Sequence, residues 1–145
     1  MGGRVGYQPS INKESSSMAD YCACGSNKVF DKCCGRFLSG AQQPRTPEQL
    51  MRSRFSAYAL GGHGDYLLKT WFPATARGLT AAALSGRSCD WTRLEILAKS
   101  QDGDRGFVEF NAWFRQGQGS EELLHEKSVF QRINGRWLYV GGEVG

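Results

Sequence analysis

The spacing of apolar positions changes once along the chain, from a helical period to a strand period. Leu50, Met51, Phe55, Tyr58 and Ala59 recur three, four or seven residues apart, which predicts a helix with one apolar face running to about Leu60. Its start is marked three ways. Thr46 can cap, Pro47 suits the first helical position, and Gln49 completes a Thr-x-x-Gln capping box. Gly61 and Gly62 stop it, and a second short helix is predicted from about Asp65 to Trp71, ended by Pro73.

Beyond residue 90 the period falls to two. Leu94, Ile96 and Ala98 alternate with Arg93, Glu95 and Leu97, a strand pattern. A Gln101-Asp102-Gly103-Asp104 turn leads into Gly106–Arg115, where Phe107, Val108, Phe110, Trp113 and Phe114 put apolar groups on both faces. Gly117–Ser120 turns the chain into Leu123–Arg132. Asn134-Gly135 is a strong hairpin signal before the last strand, Arg136–Val140. Two helices followed by a four-strand meander predict an α+β fold, with helices laid across one face of a curved antiparallel sheet. There is no internal repeat.

The chain before the first helix is of another kind. Residues 1–20 have no apolar period and are rich in Gly, Ser and Asn, so they read as a flexible tail in which Met18 is a second possible start. Residues 21–40 offer only Tyr21, Val29, Phe30, Phe37 and Leu38 as sizeable apolar side chains, too few to fold by burial alone. A linker with Pro44 separates them from residues 45–145. No run approaches the roughly 18 apolar residues of a membrane helix, and residues 1–20 lack the apolar stretch of a secretory signal, so a cytoplasmic location is expected.

Composition bounds the picture further. With 145 residues, 40% of them apolar and 12% aromatic, the chain can bury a core and wholesale disorder is excluded. The formal charge of +4 is modest, but its whole excess falls in residues 22–60, with six Lys and Arg against two Asp and Glu. The same stretch holds four of the five cysteines, Cys22, Cys24, Cys33 and Cys34, and Cys89 stands alone. An odd count without an export signal makes metal binding the stronger reading over a disulfide framework. A vicinal Cys33–Cys34 disulfide and four free thiols are the alternatives. Two close ligand pairs joined by a loop can supply the tetrahedron that zinc requires, although their spacing differs from that of common zinc fingers. Gly25 and Gly35 follow the pairs, where a sharp bend is expected. Lys28, Lys32 and Arg36 would offset the charge of a tetrathiolate.

The run Cys22-Ala-Cys-Gly-Ser-Asn-Lys-Val-Phe-Asp-Lys-Cys-Cys-Gly35 resembles the SEC-C motif, the zinc element at the tail of the bacterial preprotein translocase motor. The remainder resembles the YchJ family of small bacterial proteins. Leu50-Met-Arg-Ser-Arg-Phe-Ser-Ala-Tyr58, Asp65-Tyr-Leu-Leu-Lys-Thr-Trp71, Trp91, Leu124-His-Glu-Lys-Ser-Val-Phe130 and Arg136-Trp-Leu-Tyr139 follow in that family's order. The resemblance covers about residues 21–142. It implies a SEC-C element over residues 21–40 and a cystatin-like, nuclear-transport-factor-two-like α+β domain over residues 45–145. It also implies one structural Zn2+ on Cys22, Cys24, Cys33 and Cys34. Longer family members carry a second, C-terminal SEC-C element, which has no counterpart among the cysteines here. Four thiolates would leave no open position on the metal, so a folding role is expected and no catalytic residue is assigned.

Domains of this resemblance often enclose a pocket, and Arg54, Tyr58, Glu109, Trp113, Glu126 and Ser128 are its expected polar and aromatic lining. Arg54, on the margin of the helix's apolar face, is expected to reach inward to Glu126 or Glu109. His125 and Glu126 fall on opposite faces of their strand and should not form a dyad. His125 is expected to be a solvated strand histidine, His63 a loop residue and Cys89 an idle thiol. The tryptophans read as core and pocket wall. The expected function is an interaction or adaptor module. In the translocase tail the similar element binds an export chaperone and the ribosome, so the resemblance implies protein or ribonucleoprotein partners, with Lys28, Lys32 and Arg36 as contact charges. A small-molecule binder or enzyme using the pocket is the alternative. Nucleic acid is the weakest reading, because basic residues are few and not interleaved with exposed aromatics.

Overall fold

The computed structural model describes residues 21–87 and 89–145. The expected tail at residues 1–20, with Met18, lies outside the described residues. A 3-10 turn, Phe30–Lys32, precedes four helices: α1 Cys34–Leu38, α2 Pro47–Leu60, α3 Gly64–Lys69 and α4 Ala81–Ser85. Four strands follow, β1 Asp90–Asp102, β2 Arg105–Arg115, β3 Glu122–Ile133 and β4 Arg136–Val144. They form one antiparallel sheet in sequence order, β1-β2-β3-β4, as the meander requires. No helix among the described residues is long and apolar enough to cross a membrane.

The local signals act as the sequence predicts. Thr46 Oγ1 accepts from the Gln49 amide at 3.1 Å, and Gln49 Oε1 accepts from the Arg45 amide at 2.7 Å, closing the start of α2 in both directions. Asn134 and Gly135 both take positive φ, 52° and 78°, which matches the twist of the β3–β4 hairpin.

The sheet's inner face is set by parity. On β2, Gly106, Val108, Phe110 and Ala112 are buried, and Phe110 pairs with Glu126 while Val108 pairs with Ser128. Phe107, Glu109, Asn111 and Trp113 therefore face the other way. On β1 the alternation breaks: a register shift between Ile96 and Ala98 leaves Leu97 bulged, so Ala98 pairs with outward-facing Glu109 and Lys99 with buried Val108. Ala98 thus leaves the face it was expected to share with Leu94 and Ile96. Lys99 gains it, and its ammonium reaches Glu48 on α2 at 2.5 Å.

Helix α2 lies at the centre. It touches β1, β2 and β4 beneath it, α3 beside it, and α1 of the cysteine segment on its remaining side. This differs from a helix with a single apolar face. Ser53, Arg54, Ser56 and Ala57 are buried along with Leu50, Met51 and Phe55, because cover comes from three directions. Helix α4, which the sequence pattern did not predict, is capped by Thr80 and packs on α3. Gly64 permits that contact: a Cβ there would sit 1.8 Å from the Ala81 carbonyl oxygen. After α3, residues 70–72 zip onto β4, with amide–carbonyl bonds of 2.7 Å from Tyr139 to Thr70 and from Phe72 to Tyr139. That zipper brings Trp71 against Tyr139.

Candidate metal centre and adjoining cavity

The cysteine segment begins as a knuckle. Tyr21 and Val29 form an antiparallel bridge, the Cys22 amide donates to the Lys28 carbonyl at 2.9 Å, and the Gly25 amide donates to the Cys22 carbonyl at 3.2 Å. Gly25 takes the left-handed conformation, φ 78°, that this turn requires. The 3-10 turn then delivers Cys33 and Cys34 to the start of α1. Gly35 serves packing rather than a bend. A Cβ there would meet the Phe30 carbonyl at 2.8 Å and its ring at 2.9 Å.

These two turns bring the sulfurs of Cys22, Cys24, Cys33 and Cys34 within 4.8 Å of one another, all four residues buried. Cys24 and Cys33 are 3.6 Å apart, sulfur to sulfur. A zinc tetrathiolate with Zn–S bonds of about 2.3 Å has sulfur–sulfur edges of about 3.8 Å, so the donor set is of the type and size that would hold the ion. None of them is disulfide-bonded in this structure. Mutual hydrogen bonds from Cys24 and Cys34 hold the Cys22 thiol far below its ordinary range, and the same interactions push Cys34 up. Thiols this crowded cannot all ionise unless a cation stands among them.

Groups around the sulfurs come from beyond the motif. Ser26 Oγ lies 3.1 Å from Cys33 Sγ and Ser56 Oγ of α2 lies 3.6 Å from Cys22 Sγ. Arg52, also on α2, donates from Nη1 to the Cys24 carbonyl at 2.9 Å and approaches Cys24 Sγ at 3.8 Å, while its Nε holds Glu48 at 2.9 Å. Although burial works against it, hydrogen bonds from Lys99 and Arg52 keep the Glu48 carboxyl below its usual value. Arg52 thus brings a positive charge against the cluster, beside those expected of Lys28, Lys32 and Arg36. Lys28 and Lys32 are exposed. Arg36 is a local brace, with Nε on the Cys33 carbonyl at 3.1 Å and its guanidinium 4.5 Å over the Phe37 ring.

A cavity of about 220 Å³ lies between α2 and the inner face of the sheet. Arg54, Tyr58, Glu126 and Ser128 line it as expected, among Phe55, Trp71, Trp91, Phe110 and Tyr139. Glu109 and Trp113 do not. Their parity on β2 places them on the outer face, where Glu109 receives His125 Nε2 at 2.7 Å and Trp113 lies under Arg93 at 4.4 Å. Arg54 is 4% exposed, and its Nη1 donates to the Leu67 carbonyl at 2.8 Å and to Thr70 Oγ1 at 2.7 Å. Its guanidinium sits 4.8 Å from the Trp71 ring centre and 4.7 Å from that of Tyr139. The expected ion pair is not made: among the described residues no carboxylate comes within 4 Å of it, and burial pulls its pKa down. Glu126 Oε2 instead accepts from Ser128 Oγ at 2.5 Å and Tyr139 OH at 3.1 Å.

Sequence reasoning missed Ser56, the zipper of residues 70–72 and Arg52 as the cluster's neighbour. The only signal was helical spacing: Arg52 and Ser56 stand four apart, on the side of α2 that the apolar pattern left polar.

Fold and cluster together define a class, a four-cysteine metal-type element docked on an α+β domain of NTF2-like form. The family model described as YchJ, middle NTF2-like domain, matches residues 46–142. A SEC-C motif containing protein from Rhodopseudomonas palustris, solved in solution, superposes with a TM-score of 0.79 at 39% identity, covering 86% of this chain and 98% of that one. A crystal structure of a SEC-C motif containing protein from Psychrobacter arcticus gives 0.73 at 27% identity, with 86% and 82% covered. UPF0225 proteins from Sodalis glossinidius and Streptomyces coelicolor are 42% and 41% identical, covering 86% and 84% of this chain and 84% and 94% of theirs. The chain belongs to the YchJ family.

Proposed function

We propose that Cys22, Cys24, Cys33 and Cys34 hold one Zn2+, and that the ion folds residues 21–40 into an interaction element which binds protein or ribonucleoprotein. The observation that carries this reading is the closure of the donor set. Four buried sulfurs within 4.8 Å of one another would occupy every position on a tetrahedral ion, leaving none for water or substrate. The chain's own residues then orient the sulfurs: Ser26 and Ser56 stand beside two of them, and Arg52 ties the Cys24 turn to α2. The metal supplies rigidity to a segment whose apolar content is too small to fold alone. Free thiols of this kind suit a reducing compartment. Lys28, Lys32, Tyr21 and Val29 are exposed on the element and would form its contact surface. Replacing both lysines with Glu is expected to abolish co-sedimentation with ribosomes or capture of a partner from lysate, with circular dichroism unchanged. Unaltered association would refute the surface assignment.

A second reading has its own observation. The buried guanidinium of Arg54 lines the cavity with no carboxylate of the described residues to neutralise it, as expected of a small-molecule site.

A further inference from the structure

We propose that the cavity between α2 and the sheet binds a small aromatic carboxylate that carries a hydrogen-bond donor at the opposite end of its ring. This rests on reading the cavity as a ligand site, and it names the ligand's chemistry.

The two ends of the cavity differ in charge. At one end is Arg54, 4% exposed, with one nitrogen engaged by the Leu67 carbonyl and Thr70 and no carboxylate of the described residues in reach. A buried cation without a counter-ion is costly, and a ligand carboxylate would supply the missing partner in the planar geometry guanidinium prefers. Arg54 at that end therefore asks for an acceptor.

The other end asks for a donor. Glu126 is held in place by Ser128 Oγ and Tyr139 OH, both bonded to Oε2, and Oε1 has no hydrogen-bond partner among the described residues. Space for this carboxylate is built in: a Cβ on Gly142 would lie 2.3 Å from Glu126 Oε2. Tyr139 stands beside both ends, since its ring lies against Arg54 and its hydroxyl touches Glu126. The walls between them, Phe55, Trp91 and Phe110, are aromatic. A cavity of about 150 Å³ accepts benzene, so the 220 Å³ found here suits one ring with short substituents.

Calorimetric titration of the full-length protein with 4-hydroxyphenylacetate, phenylacetate and tyramine tests the proposal. The first should bind one per chain. Phenylacetate, which lacks the donor, and tyramine, whose ammonium replaces the carboxylate, should each bind at least fivefold more weakly. Glu126→Leu keeps the bulk and removes both acceptors, and should bring the two acids within fivefold of each other. If either comparison compound binds the wild type within fivefold of 4-hydroxyphenylacetate, the ligand class is wrong while the cavity remains a binding site. If none binds and the amide resonances of the cavity residues do not move, both the class and the site are refuted.

Discussion

Arg52 shows how a single side chain joins two parts of the molecule. Its guanidinium bonds the Cys24 carbonyl, approaches the Cys24 sulfur and holds Glu48, which in turn receives Lys99 from the sheet. Arg52→Ala should cost about 1–2 kcal/mol, the value of a partly buried charge-assisted hydrogen bond. It should lower the thermal midpoint by a few degrees and speed metal loss to a chelator, while Arg52→Lys recovers part of the loss. On the outer face of the sheet, hydrogen bonding to the Gly145 carbonyl and then to Glu109 raises the His125 pKa above its ordinary 6.5. The folded state then holds the proton more tightly than the unfolded chain does. The contact therefore stabilises fully below about pH 6.5 and fades as pH climbs through the folded value. A proton NMR titration should find His125 above 6.5, with Glu109→Gln moving it down. The four cysteines were legible as a candidate cluster from their closeness in sequence, and the resemblance to the SEC-C motif implied that they act together. Arg52 and Ser56 were not, since they meet the cysteines only after α2 docks.

At the scale of elements, signals that depend on neighbours in sequence were the readable ones. The capping box of α2 and the Asn134-Gly135 hairpin form as their residues dictate. Thr46→Ala should destabilise the fold by about 1 kcal/mol, seen as a lower thermal midpoint with an unchanged structure. What could not be read was an interruption of phase. The bulge at Leu97 inverts the faces beyond it, so Ala98 turns outward and Lys99 inward to Glu48, although Leu94, Ile96 and Ala98 keep a spacing of two in the sequence. The same parity explains Glu109 and Trp113. Both faces of β2 carry apolar residues, so hydrophobicity alone could not tell which side held the cavity. Helix α4 is too short to show a period at all.

The whole molecule is organised around α2, with the cysteine segment on one side and the cavity and sheet on the other. A metal bound by the four cysteines would therefore bear on more than residues 21–40. Apparent binding energies of structural zinc sites are about 10–16 kcal/mol, far more than Phe30, Phe37 and Leu38 can replace by burial. Stripping the metal under reducing conditions should abolish hydrogen-exchange protection in residues 21–40 and weaken it along α2. The β2–β3 ladder should keep its protection. The central claim is that the four cysteines hold one structural zinc ion, and elemental analysis of protein purified under reducing conditions tests it most directly. The expected result is one zinc per chain for the wild type and none for a Cys24→Ser, Cys33→Ser double variant. A wild-type chain with no bound zinc, or a variant that retains a full equivalent, would contradict it.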